Sequence, residues 1–218
     1  MAKHNFLFRY MLFLLMLTAS VSFAQKTTNY DLAELLANNK FVVPPDQKIT
    51  LLSNDTRKAV SVTGIVWLKG LNFSTGSIDV DIRGKDVFQQ SFIGIAFHGV
   101  DTATYDAIYF RPFNFQSADS LRHKHMVQYI SPQVYTWEKL RKEHPLVYEN
   151  TVTPSVLPID WFHAHIVVSA DEVTVYVNHS ETASLRVKKL GNRNNGLVGL
   201  WSSDLSGDFA NLVIKTDK

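Results

Sequence analysis

Beyond Pro44-Pro45 the chain falls into short runs in which apolar and polar residues alternate, rich in Val, Ile, Phe, Tyr and Trp and separated by Gly, Asn, Asp and Ser. A period of two with β-branched and aromatic side chains predicts strands. They are expected over 48–52, 59–68, 75–82, 90–98, 106–112, 125–130, 161–169, 172–178, 185–190, 196–202 and 208–216. Ala170-Asp171 lies between two such runs and predicts a tight hairpin. Before the strands, Leu32, Leu35 and Leu36 recur at helical spacing, which predicts a short amphipathic helix within 28–39 acting as a lid or packed arm. The long interruption 131–160 carries Trp137, Lys139, Leu140 and Arg141, with prolines at 132, 145, 154 and 158. Unstructured insertions of that length are uncommon in compact domains unless they bind something, so a functional loop is expected, with one helical turn near 137–142.

Many short strands with turn signals between them predict an all-β sandwich or barrel. The first residues follow a different pattern. Lys3, His4 and Arg9 precede an apolar run from Tyr10 to Leu17 and the small-residue stretch ending Ser22-Phe23-Ala24. This is the three-part pattern of a secretory signal peptide over 1–24, and its apolar run is well short of the ~20 residues a spanning helix needs. A single domain over 25–218 and an exported, periplasmic or extracellular location are the corresponding expectations, with no membrane attachment after cleavage.

Composition sharpens this picture at two points. There is no cysteine, which removes disulfides, thiolate nucleophiles and Cys-ligated metals, and means that an exported domain must be held by its own core. The formal charge is +2, from 22 basic and 20 acidic residues. Removing Lys3 and Arg9 with the leader leaves 20 against 20, so the remaining chain is neutral and lacks the basic field that nucleic acid requires.

Three constellations carry candidate chemistry. In Gly76-Ser77-Ile78-Asp79-Val80-Asp81-Ile82-Arg83, strand alternation puts Asp79, Asp81 and Arg83 on one face, either as a carboxylate pair for glycoside or cation chemistry or as a solvated outer face. In Tyr105 to Phe115, Pro112 cannot continue a central strand. Arg111 and Asn114 are therefore expected at a sheet end, either holding sugar hydroxyls or a uronate beside aromatic rings, or packed with Arg111 ion-paired to Asp81 or Asp106. In the third, Gln128 leads into the insertion with Trp137, Arg141, Tyr148 and Glu149, either lining a cleft or anchoring the loop. His98 ends an apolar strand and is expected at the rim near Arg111. The pairs His123/His125 and His163/His165 have the spacing of strand metal ligands, but without a third ligand the default is exposed histidines. No nucleophile elbow, phosphate loop or zinc-protease helix is found. Sequons stand at Asn54, Asn72 and Asn178.

The strands Gly76-Ser77-Ile78-Asp79-Val80-Asp81-Ile82 and Phe92-Ile93-Gly94-Ile95-Ala96-Phe97, with the ending Gly207-Asp208-Phe209-Ala210-Asn211-Leu212-Val213-Ile214, resemble the concanavalin A-like lectin/glucanase superfamily. In particular they are similar to its bacterial secreted members related to laminin-G-like and 3-keto-disaccharide hydrolase domains. The resemblance implies a two-sheet antiparallel jelly roll whose concave face binds an oligo- or polysaccharide. It spans glycoside hydrolases, lectins and modules without activity, so it does not choose among them. The glucanase branch carries a strand with two glutamates around an aspartate, and here only Asp79-Val80-Asp81 stands in that place. If the protein is hydrolytic, Asp81 and Glu149 supply acid and base; the ligand set is His98, Tyr109, Arg111, Asn114, Gln128, Trp137 and Arg141. The other readings are a non-catalytic carbohydrate-binding or extracytoplasmic interaction module, and a structural domain with its aromatics in the core. No cofactor is expected, and nothing in the sequence supports a structural calcium ion.

Overall fold

The structure, a computed structural model, describes residues 25–53 and 55–217; the expected leader, the sequon at Asn54 and the final lysine lie outside the described residues. Its strands are β1 (Lys26–Tyr30), β2 (Phe41–Val42), β3 (Lys48–Leu51), β4 (Val60–Leu68), β5 (Gly76–Arg83), β6 (Ser91–Gly99), β7 (Asp106–Phe110), β8 (Val127–Ile130), β9 (Glu149–Asn150), β10 (Phe162–Val168), β11 (Glu172–Val177), β12 (Leu185–Lys188) and β13 (Leu197–Thr216). Three short helices, α1 (Leu32–Ala37), α2 (Ser120–His123) and α3 (Trp137–Glu143), and a 3-10 turn over Pro112–Asn114 complete the described elements.

The organising element is β13. Its first part, to Asp204, pairs with β6, and its last part, from Asp208, pairs with β5, while β4 runs along its other edge beside both parts. Between Ser202 and Gly207 the register shifts, and Ser202 Oγ donates to the Leu205 carbonyl at 2.7 Å inside the bulge. A bulge bends its strand and increases the local twist. The two flaps that follow one another along β13, β6-β7-β8-β9 and β5-β10-β11-β12, therefore fold into two layers. The sequence predicts separate strands over 196–202 and 208–216; the residues between them keep the ladder going through the bulge, so one 20-residue strand serves both sheets.

Alternation then divides the core side chains between two layers. Ile93, Ile95, Phe97, Ile108, Phe110, Val127 and Tyr129 point inward from one sheet, and Ile78, Val80, Ile82, Phe162, Ala164, Ile166, Val173 and Val175 from the other, all buried. Phe162 meets Phe110 at 4.9 Å and Phe115 at 5.5 Å between ring centroids, edge to face across the layers. At roughly 1.5–3 kcal/mol for each large side chain buried, this interior is sufficient to hold a domain without disulfides.

Two local expectations change. Residues 26–30 are not helical but form β1, an edge strand against the end of β13, and the helix starts only at Leu32 because Asp31 caps it, accepting from Glu34 N at 3.1 Å. The insertion is more ordered than a single helical turn: it holds α3 and returns through β9, which pairs with β8. The hairpin at Ala170-Asp171 forms, with Val168 opposite Val173.

Candidate functional site

The outer face of the β13-β6-β7-β8-β9 sheet carries a cleft of about 560 Å³. Its floor follows from register. Trp201 pairs with Gly94 and Gly94 with Tyr109, which in turn faces Gln128, itself opposite Glu149, so all of these lie on one face with Phe92, Arg111 and Ser203. Gly94 is required here: a Cβ would come within 2.0 Å of the Ile108 carbonyl oxygen. With no side chain between them, the rings of Tyr109 and Trp201 close edge to face at 5.1 Å.

Pro112 stops β7 as the sequence predicts, and the chain turns so that Phe113 and Asn114 form one wall. Arg122 from α2 extends that wall, donating from Nε to Asn114 Oδ1 at 3.1 Å and from Nη2 to the Phe113 carbonyl at 2.9 Å. Its guanidinium lies 4.4 Å from the centre of the Phe88 ring, which is 54% exposed. Another wall is α3, capped by Thr136 and presenting Trp137 and Arg141 one turn apart. Trp137 is 44% exposed, with the Arg141 guanidinium 5.1 Å from its ring centre.

Glu149 lies beneath these walls, only 3% exposed. Arg141 donates to it in a fork, at 3.2 Å from Nε and 2.9 Å from Nη2, and Arg111 Nη1 stands at 3.6 Å. His125 Nδ1 is 2.7 Å from Glu149 Oε2, without the alignment of a hydrogen bond. Arg111 is itself buried, donating to the His125 carbonyl at 3.2 Å and, through Nη2, to Tyr109 Oη and Gln128 Oε1. Tyr109 Oη donates to Gln128 Oε1 at 2.7 Å. Burial pushes the Tyr109 phenol up to about 12, so it remains a neutral donor at physiological pH. Burial also lowers the pKa of His125, with Glu149 opposing and Arg141 reinforcing the effect, which leaves the imidazole neutral at pH 7.

The structure thus brings together Tyr109, Arg111, Asn114, Gln128, Trp137, Arg141 and Glu149, and leaves out two expected members. His98 is fully buried, with Nε2 2.7 Å from the Ser74 carbonyl and Nδ1 3.2 Å from Asp106. Its left-handed backbone (φ 49°) breaks the alternation that would have kept it on the cleft face. Asp81 sits on the outer face of the opposite sheet, with the hydrophobic layer of Ile78, Val80 and Ile82 between its strand and the cleft-bearing sheet. It accepts from Asn211 Nδ2 at 2.7 Å and faces His163 Nδ1 at 3.0 Å. Asp81 and Glu149 therefore share no cleft, and Arg111 pairs with Glu149 rather than with Asp81 or Asp106. Among the described residues that line the cleft, only Asp204 is acidic.

Sequence reasoning did not place Phe88, Phe92, Arg122, His125, Trp201 or Asp204 in the cleft. Phe92 and Trp201 were legible as strand residues, but only the register between β6, β7 and β13 puts them beside Tyr109. Arg122 belongs to a segment whose apolar pattern is too short to predict α2, and His125, expected as an exposed strand residue paired with His123, is instead buried between α2 and β8 while His123 is helical.

Asp79, Asp81, His163 and His165 form a separate array. His163 Nε2 is 3.3 Å and His165 Nδ1 2.7 Å from the same Asp79 oxygen. Among the described residues no group of three or more His, Asp or Glu side chains converges as metal ligands, so the H-x-H spacing serves ion pairs here. Hydrogen bonds to Asp79 and Asp81 raise His163 to about 9 against the desolvation that opposes them. Burial alone would raise both aspartates, but the hydrogen bonds from His163, aided by His165 at Asp79 and Asn211 at Asp81, hold them below the usual carboxylate range. Because the folded state binds the His163 proton more tightly, its stabilisation is complete below the unfolded histidine pKa and is lost as pH rises through about 9. Since the site is partly exposed and screened by solvent, a loss of about 1–2 kcal/mol is expected between pH 6 and pH 9.5. Urea denaturation at both values should show it, and His163→Gln should abolish most of the difference.

No family model matches the chain, and no curated protein does. Among solved structures the fold is similar to the carbohydrate binding module CBM66 from Bacillus subtilis, with a TM-score of 0.54 at 12% identity over 80% of this chain and 95% of that one. It is also similar to a candidate glycosyl hydrolase from Parabacteroides distasonis, with a TM-score of 0.50 at 13% identity over 82% and 94% of the two chains. At this level of identity the likeness establishes the fold alone, an all-β jelly-roll sandwich.

Proposed function

We propose that this protein is a non-catalytic saccharide-binding domain, exported by its N-terminal segment, whose ligand occupies the cleft over Phe92 and Trp201, beside the exposed rings of Phe88 and Trp137. The observation that carries the reading is the combination of exposed aromatic rings with fixed guanidinium and carboxamide donors in one cleft. Rings stack on the apolar faces of a pyranose or furanose, and planar donors take its hydroxyl oxygens in pairs. The fold's likeness to a carbohydrate binding module supports the same reading.

Hydrolysis has less support. Both standard mechanisms use two carboxyl groups flanking the scissile bond, about 5–10 Å apart. Glu149 is buried and held by a guanidinium fork, and Asp81 is on the far side of the sandwich. Among the described residues no helix is long and apolar enough to cross a membrane. The export reading rests on the pattern at Lys3 to Ala24.

A glycan array probed with residues 25–218 tests the proposal directly, followed by isothermal titration of any hit and product analysis. Binding without product is the expected result. Trp137→Ala should weaken that binding about tenfold or more, by analogy with the loss of a stacked aromatic contact, while leaving the unfolding midpoint close to that of the parent. Unchanged affinity in both Trp137→Ala and Trp201→Ala would remove the cleft from consideration, and release of a cleaved product would overturn the non-catalytic reading.

A further inference from the structure

Resting on the saccharide reading above, we propose that the cleft selects acidic saccharides, with Arg122 of α2 and Arg141 of α3 engaging a carboxylate or sulfate group of the ligand. The charge inventory comes first. Three guanidinium groups, Arg111, Arg122 and Arg141, line the cleft against one lining carboxylate, Asp204. Glu149 lies behind them and engages Arg111 and Arg141 together. His125 adds no cation at neutral pH, because burial favours its uncharged form. The cleft is therefore left with one positive charge in excess, in a chain that is neutral once the leader is set aside.

The excess has a definite address. Arg122 is satisfied by neutral oxygens, those of Asn114 and Phe113, and no carboxylate lies within ion-pair distance of it among the described residues. Its Nη1 makes no hydrogen bond to the described residues, and neither does Nη1 of Arg141, whose other two donors hold Glu149. Each wall thus offers a guanidinium edge with its plane fixed by protein contacts and by an aromatic ring, Phe88 at 4.4 Å for Arg122 and Trp137 at 5.1 Å for Arg141. A guanidinium fixed in this way needs little further ordering to bind a planar carboxylate or a sulfate, and charge-assisted bonds of this kind are roughly twice as strong as neutral ones. A neutral sugar would leave the excess charge unpaired in a partly desolvated cleft.

The test is a binding panel with the domain 25–218. Alginate, polygalacturonate and chondroitin sulfate form the acidic set; dextran, galactan and fully methyl-esterified polygalacturonate form the neutral set. At least one acidic polymer is expected to bind at least tenfold more tightly than every neutral one. Its affinity should fall severalfold between 50 and 300 mM NaCl, as expected for a screened charge pair. Arg122→Gln should reduce that affinity about tenfold, with Arg122→Lys intermediate, because lysine keeps the charge but loses the fork. The salt titration of the parent keeps the proposal falsifiable should Arg122→Gln fold poorly. Binding that favours neutral polymers, or that salt does not affect, overturns the acidic preference and leaves the saccharide reading standing. Failure of every saccharide on the panel and on the array overturns both.

Discussion

Replacing Glu149 with alanine is expected to destabilise the domain by about 3–5 kcal/mol, a larger effect than any substitution on the outer surface should have. The reason is what remains behind. Arg111 is 4% exposed, and burial opposes its charge, so a nearby anion is needed to offset the cost of keeping the cation out of water. With Glu149 gone, the Tyr109 and Gln128 oxygens still accept from Arg111, but no carboxylate balances it. Arg141 is partly exposed and can return to water, so the cost falls mainly on Arg111. Two further variants separate charge from shape. Glu149→Gln keeps the size of the side chain and one acceptor and should cost less, while Arg111→Met in the Glu149→Ala background should recover part of the loss by removing the stranded cation. Urea unfolding followed by tryptophan fluorescence measures all three. A cost below 1 kcal/mol for Glu149→Ala would mean that the carboxylate does not balance Arg111.

Phe162→Ala is expected to cost a similar amount, about 3–5 kcal/mol, for a different reason. Its ring is buried where β10 crosses the opposite sheet and packs edge to face on Phe110 and Phe115. Truncation opens a cavity between two layers that strand pairing holds in place, so collapse around the void is restricted. Because Phe110 precedes Arg111 and Phe115 follows Asn114, loosening this contact should also weaken ligand binding at constant temperature, although Phe162 does not line the cleft. The adjacent Trp161 is a useful contrast. It points outward, between the guanidiniums of Arg57 and Arg83 at 5.2 and 4.7 Å, and Trp161→Ala should cost less than half as much. Equal effects at the two positions would contradict the layer assignment of β10.

The alternation in 75–82 and 161–169 made the inward faces of β5 and β10 readable, and the same rule correctly put Asp79, Asp81 and Arg83 together. Pro112 located the end of β7, and the aromatic and cationic residues around Trp137 located the insertion's contribution to the cleft. The rule misplaces His98 and is silent on the position of Asp81. His98 follows the alternation until its backbone turns left-handed, which sequence does not signal for a histidine. Asp81 and Glu149 are both carboxylates near candidate clefts, but alternation within a strand says nothing about which of two sheets the strand joins.

That distinction separates the two sources of information. Periodicity, turn residues and proline are local: they act within a few residues along the chain, so the all-β class, most strand positions and the partition of each strand into two faces are determined by the sequence alone. The bend of β13, the pairing of Trp201, Gly94, Tyr109 and Gln128 across four strands, and the meeting of Arg111, Arg141 and His125 at Glu149 are non-local. They depend on which ladders form and where a bulge shifts the register, and one shift moves a side chain from one face to the other. Hence the chemistry was present in the sequence as separate residues, and only the tertiary structure decided that Tyr109, Arg111 and Glu149 stand on one outer face and Asp81 on the other.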